Sequence, residues 1–347
     1  GGGRPYSVGV KGVYMEAAQR PLAKGLVLAS LIAMASISPA SAILHGDRSA
    51  PQAYPFMVSL LEHRAPAGRE HEFHTCGGTL IGPQWVLTAA SCLYLSMRPQ
   101  SAADIDLYLG SSDFTGGERV RPAQFFVHPQ YDRLRGENDI ALVRLPSAAR
   151  ADLRVPPTPM KLATDPLLGE SSSIRPVTVV GWGPTDDDAS GPSPELRSVS
   201  LELKWAAMAC PLDAAALKAR WEEIETVLRQ LRLSEAAEQE LFRRVAAATP
   251  PLIPPHSLCT GRTDSFATTL GLLSNPIMSH PSRPGPCVSD AGGPLLGTEA
   301  DGTQVQLGIV SFPYGYENDT CNSDAFPPYY VSVGVYADWI ASTMAGR

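Results

Sequence analysis

Between residues 43 and 205 the apolar positions fall in short runs rich in β-branched and aromatic residues. The runs are FMVSLLE, GGTLI, WVLTAA, DLYLG, AQFFVH, DIALVRL and VTVVGWG, each bounded by Gly, Pro, Asn or Asp. Such runs predict short strands, and many of them at this spacing predict a sandwich or barrel. Residues 212–248 follow another rhythm. Leu217, Trp221, Ile224, Leu228 and Leu231 recur at spacings of 4, 3, 4 and 3, which places them on one helical face. Ser234 with Glu235 opens a second helical stretch, Leu241 and Val245 give it an apolar side, and Pro250 with Pro251 stop it. The expectation is an α-helical hairpin inserted in an all-β protein. Strand patterning returns in QVQLGIVSF and YYVSVGVY, and ADWIASTMAGR predicts a short C-terminal helix.

The first 42 residues read differently. Arg20 and Lys24 precede the apolar run GLVLASLIAMA, and the small-residue stretch SISPASA ends in Ala40-Ser41-Ala42. Basic flank, apolar centre and A-x-A site together predict a secretory signal peptide over about 15–42, with Met15 as initiator. The apolar run is well short of the roughly 20 residues that span a bilayer, and no other segment is apolar enough to cross one. The expected mature chain, 43–347, is secreted.

Composition narrows the possibilities. The 32 prolines and 30 glycines suit a loop-rich β protein. The net charge is −7 and no long run of Lys or Arg occurs, so a nucleic-acid partner is not expected. The six cysteines are Cys76, Cys92, Cys210, Cys259, Cys287 and Cys321. In an oxidising compartment they predict three disulfides, with 15 pairings open on sequence alone. No C-x-x-C pair occurs and no histidine stands at ligand spacing to a cysteine, so neither a metal nor a cofactor is expected.

Eight stretches then occur in a familiar order: ILHG at 43–46, CGGTLIGPQWVLTAASC at 76–92, VHPQYDR at 127–133 and NDIALVRL at 138–145, followed by VVGWG at 179–183, CVSDAGGPLL at 287–296, GIVSF at 308–312 and VYADWI at 335–340. The chain resembles the chymotrypsin/trypsin family of serine proteases over the whole of 43–347, outside the insertions. The resemblance implies two six-stranded antiparallel β-barrels with a cleft between them. It also implies the pairing Cys76–Cys92, Cys210–Cys259 and Cys287–Cys321.

The same resemblance locates the catalytic positions. Acyl transfer in this family needs a serine hydroxyl, an imidazole that takes its proton and a carboxylate that orients the imidazole. The carboxylate is Asp139, but the imidazole position is Ser91 and the nucleophile position is Ala291. A methyl group cannot attack a carbonyl, and a serine hydroxyl is no substitute for imidazole as a base near neutral pH. The oxyanion-hole position is Ser289 rather than glycine. The specificity-pocket positions are Gly285, Ser311, Pro313 and Pro328; Gly285 offers no acid, and Pro313 has no N–H to pair with a substrate strand. Asp290 stands where the family's buried carboxylate meets the amino group of the residue at the Ile43 position. Asn318 opens an N-x-T sequon and is a glycosylation candidate.

Two readings follow. The chain is expected to be a secreted, proteolytically inactive homologue that binds a protein partner, as decoy, inhibitor-type partner or cofactor. The alternative is an active endopeptidase or esterase with displaced residues, in which Ser91 is the nucleophile or His256 or His280 the base. Within EHEFH at 70–74, the two histidines and two glutamates are read as a solvated barrel edge rather than a metal site.

Overall fold

The computed structural model describes residues 43, 46–95, 98–133, 135–164, 175–185, 191–204, 257–260, 285–299, 301–311 and 328–346. The predicted signal peptide, the helical hairpin at 212–248, Cys210, Cys321, Pro313, Asn318, His256 and His280 lie outside them.

The strands of the described residues all pair antiparallel. The strands of the first half are β1 (Asp47–Arg48), β2 (Met57–Glu62), β3 (His74–Gly82), β4 (Trp85–Thr88), the short pair β5 (Tyr94–Leu95) and β6 (Arg98–Pro99), β7 (Ile105–Leu109), β8 (Glu118–Val120), β9 (Gln124–Val127) and β10 (Ala141–Arg144). Those of the second half are β11 (Arg175–Gly181), β12 (Arg197–Lys204), β13 (Ser257–Thr260), β14 (Pro294–Thr298), β15 (Gln304–Ser311) and β16 (Tyr329–Ser332), with helix α1 at Ala337–Met344 closing the chain.

The second half forms a closed barrel. Its strands run β12-β11-β14-β15-β16-β13, and β13 pairs back onto β12 through Leu203↔Thr260 and Lys204↔Cys259. Closure removes both sheet edges, and β1 adds outside β12. The first half runs β8-β7-β2-β3-β4-β10-β9. It is a seven-stranded half-barrel, where the resemblance implies six strands in a closed one. The edge strands β8 and β9 have three and four residues, and each pairs with one neighbour among the described residues.

Burial explains why the apolar runs settle as strands. All five residues of β7 are buried, as are Met57 to Leu61 of β2. Val180, Trp182, Leu296, Ile309 and Val331 of the second half share one packed cluster with Val58, Leu80, Leu87 and Leu142 of the first. Burying a Val or Leu side chain contributes roughly 1.5–3 kcal/mol, so this shared cluster holds the two halves together. The helix α1 lies against the first half as well. Trp339 and the preceding Tyr336 meet the His128 ring at 5.1 and 5.3 Å between centroids.

Candidate active-site cleft

Asp139 stands just before β10, and the chain there is shaped by its neighbour. Asn138 has φ 55°, a left-handed conformation that asparagine tolerates better than most residues. Its side chain is fixed at both ends: Nδ2 donates to the Gln130 carbonyl at 2.8 Å, and Oδ1 accepts from the Tyr336 hydroxyl at 2.9 Å. Asp139 is thus delivered to a site where it is 1% exposed. Three donors meet its carboxylate: the Ser91 N–H at 2.6 Å, the Ser91 hydroxyl at 2.9 Å and the Ser311 hydroxyl at 2.6 Å. Burial pushes the Asp139 pKa up, and the Ser311 and Ser91 bonds oppose that rise. The sequence-expected positions Ser91, Asp139 and Ser311 are therefore brought together. The hydroxyl of Ser91 bonds the carboxylate to which the resemblance assigns the orienting of an imidazole.

Ser91 opens a 3₁₀ turn, Ser91–Leu93, which the Cys76–Cys92 disulfide ties back to β3. Facing it is the loop from Cys287 to Gly293, with a 3₁₀ turn at Val288–Asp290. Gly292 in this loop has φ +79°, and a Cβ there would lie 2.3 Å from both the Gly77 carbonyl and Thr88 Oγ1, and 3.1 Å from Cys92 Sγ. Only glycine fits such an approach. The contact places Ala291, one residue before Gly292, beside the turn that carries Ser91. The Ala291 carbonyl accepts the Gly77 N–H at 2.7 Å, and the residue is 8% exposed.

Asp290 is completely buried. Its Oδ1 accepts the Gly183 N–H at 2.7 Å and its Oδ2 the Cys287 N–H at 2.8 Å. Gly181 and Gly183 make room for it, since a Cβ at either would fall 2.0 or 2.3 Å from a carboxylate oxygen. Burial pushes its pKa up to about 7 against those two bonds. Ile43 is buried with φ 53°, in a core cluster with Val177, Val179 and Leu203. No ion pair to Asp290 occurs among the described residues.

His74 is the residue that the sequence reading missed. It is not part of a solvated edge: it begins β3 and is 4% exposed, while Glu70–Phe73 forms the 3₁₀ turn before it. Its Nε2 bonds the Ser289 carbonyl at 2.9 Å. A carbonyl only accepts, so Nε2 carries the proton and Nδ1 accepts the Ser59 hydroxyl at 2.6 Å. Phe114 and Trp182 pack on the imidazole at 6.4 and 5.7 Å between centroids. Burial lowers the His74 pKa to about 4, against the Ser289 bond, so the ring is neutral at pH 7. Its spacing of two from Cys76 was the available signal, because alternate residues of a strand share a face.

The remaining positions are simply placed. Gly285 and Pro328 are buried, and the Pro328 carbonyl accepts the Thr260 N–H at 3.5 Å. Cys259 and Cys287 are disulfide-bonded, with partners outside the described residues. No group of three metal-ligating side chains occurs among the described residues.

The family model described as Trypsin matches residues 43–211. Chymotrypsin-like elastase family member 3B of Macaca mulatta is 27% identical over 317 residues, which cover 90% of this chain and 97% of that protein. The chain is a homologue of trypsin-like serine proteases, with the family match carried by residues 43–211. The human elastase family member 3B is 26% identical over 321 residues, covering 90% of this chain and 92% of its own length, and bovine proproteinase E is 27% identical, covering 89% and 97%. Neuropsin, a mouse brain serine protease of known structure, shares the fold with a TM-score of 0.54 at 21% identity, over 87% of this chain and all of its own. The positions to which the resemblance assigns the triad hold Ser91, Asp139 and Ala291, and the one to which it assigns the oxyanion hole holds Ser289.

Proposed function

We propose that the protein is a secreted, proteolytically inactive trypsin-family homologue that acts by binding another protein. The observation that carries this reading is the pairing of Ser91 with Asp139. The hydroxyl and N–H of Ser91 both bond the carboxylate that would orient a base, and a methyl group stands at the nucleophile position, Ala291. General-base catalysis typically supplies 10²–10⁴-fold, and the serine hydroxyl that meets the His74 imidazole, that of Ser59, is 0% exposed and closed to a substrate. His74 does not fill the role, because both ring nitrogens are engaged and burial keeps it a poor proton acceptor. The oxidised cysteines support an extracellular setting. A fold that retains its packed cleft without the chemistry is suited to recognition, with a protein as the partner.

One preparation tests this with two readouts: turnover of a panel of esters and peptide amides, and saturable capture of a protein from extracellular fluid. The expected result is saturable capture with no turnover above background. Turnover abolished by Ser91→Ala would contradict the proposal.

A further inference from the structure

We infer that Arg197 is a built-in counter-charge for Asp290, which lets the loop from Cys287 to Gly293 order without a free amino group at Ile43. The inference stands whether or not the cleft turns over a substrate.

Register supplies the first part of the argument. Arg197 on β12 is the direct cross-strand partner of Gly181 on β11. Opposed residues of an antiparallel pair project to the same face, with Cβ atoms about 4.5–5.5 Å apart. Here the face is the interior one: Val199, Leu201 and Leu203 share it on β12, and Val177 and Val179 on β11. Gly181 has no side chain, and a Cβ there would fall 2.0 Å from Asp290 Oδ1. Asp290 Oδ1 therefore sits against the Gly181 backbone, directly across the β11–β12 ladder from Arg197.

Both groups lack what the other supplies. Arg197 is 7% exposed and its buried Nε has no hydrogen-bond partner. Asp290 is fully buried and bonded to two backbone N–H groups. A buried donor left unpaired costs about 1–3 kcal/mol, and a buried charge without a partner costs more. The other ionisable groups set around this pocket do not answer Asp290. The Tyr330 phenol on β16 bonds Thr260 and is held protonated. His74 on β3 bonds the carbonyl of the adjacent Ser289 and is neutral. Arg48, opposite Arg197 on β1, is committed to Glu195 at 2.7 Å.

When Asp290 ionises, rotation of the Arg197 side chain brings a planar, permanently charged fork onto the carboxylate. Each carboxylate oxygen has a second lone pair, so the bonds from Gly183 and Cys287 are retained. The pair supplies from within the chain the cation that the family's resemblance would assign to an amino terminus at Ile43.

The test is a double-mutant cycle on the full chain, in which the Ile43 nitrogen lies in a peptide bond. Unfolding is followed in urea at pH 5 and pH 8.5 for the wild type, Arg197→Gln, Asp290→Asn and the double variant. At pH 8.5, Arg197→Gln should lower the folding equilibrium constant at least tenfold in the wild-type background and less than twofold in the Asp290→Asn background. At pH 5, where Asp290 is protonated, the difference should vanish. Equal effects in both backgrounds at pH 8.5, or the same coupling at both pH values, would overturn the inference. If Arg197→Gln does not fold, Arg197→Lys carries the test. It should fold and retain coupling to Asp290 at pH 8.5; effects equal in both backgrounds would overturn the inference.

Discussion

His74→Gln offers a sharp check on the electrostatics of the cleft. In the folded protein burial lowers the imidazole pKa from its ordinary 6.5 to about 4. The unfolded chain takes up a proton as pH falls through 6.5, and the folded chain does so only near 4. Stability from the neutral His74 is therefore fully present above pH 6.5 and is lost as pH falls towards 4. At about 1.4 kcal/mol per tenfold change in proton affinity, the loss is about 3 kcal/mol. Asp290 works in the opposite sense. Its folded pKa stands near 7 against an ordinary 3.8, so its contribution is lost as pH rises between those values. The two act in opposite senses in the wild type, so the informative quantity is the difference between wild type and His74→Gln. Glutamine keeps a donor for the Ser289 carbonyl and removes the titration. Urea unfolding at half-unit steps from pH 4 to 8 should show the wild-type advantage shrinking by about 3 kcal/mol on the way down. A flat difference, or one that grows at low pH, would refute the buried, neutral His74.

Three further outcomes follow from the same geometry. Gly292→Ala puts a methyl group 2.3 Å from the Gly77 carbonyl at φ +79°; thermal melts should show destabilisation of more than about 2 kcal/mol. Removal of the Ser311 hydroxyl in Ser311→Ala leaves buried Asp139 one donor short; the expected cost is about 1–3 kcal/mol, growing as pH rises through the Asp139 titration, and a pH-independent cost would contradict it. Ser91→His with Ala291→Ser restores the family's three named side chains, yet peptide hydrolysis should stay far below that of an active relative, because Ser289 and Pro313 still alter the oxyanion and substrate-strand positions. A misplacement of about 1 Å can cost 10²-fold, so robust cleavage by the double variant would show the cleft to be otherwise intact.

Much of this was legible in the sequence because strand burial is a local pattern. The runs DLYLG, WVLTAA and QVQLGIVSF became β7, β4 and β15 within a residue or two at most boundaries, and the Cys76–Cys92 bridge that the resemblance implies is present. What depends on distant partners was not legible. The edge strand β1, the pairing of β13 onto β12 and the open ends of the first sheet are set by which edges meet, not by any one run. RSVSLELK, with its polar alternate residues, became the long strand β12 against β11. His74 read as part of a solvated barrel edge; only the fold shows the Ser289 carbonyl, 215 residues away, accepting its hydrogen bond. Ser91 read only as the residue at the imidazole position or as an alternative nucleophile, whereas the structure gives its hydroxyl and N–H a shared partner in Asp139.

The central claim is that no activated nucleophile exists in this cleft. A fluorophosphonate probe reacts with an activated serine hydroxyl and ignores one held in an ordinary hydrogen bond, so it reads that claim directly in the folded, oxidised protein. The account predicts no labelling above that of the heat-denatured control at pH 7 to 8.5, under conditions that label an active trypsin-family protease to completion. Stoichiometric labelling mapped to Ser91, or to any other serine of the folded chain, would contradict it.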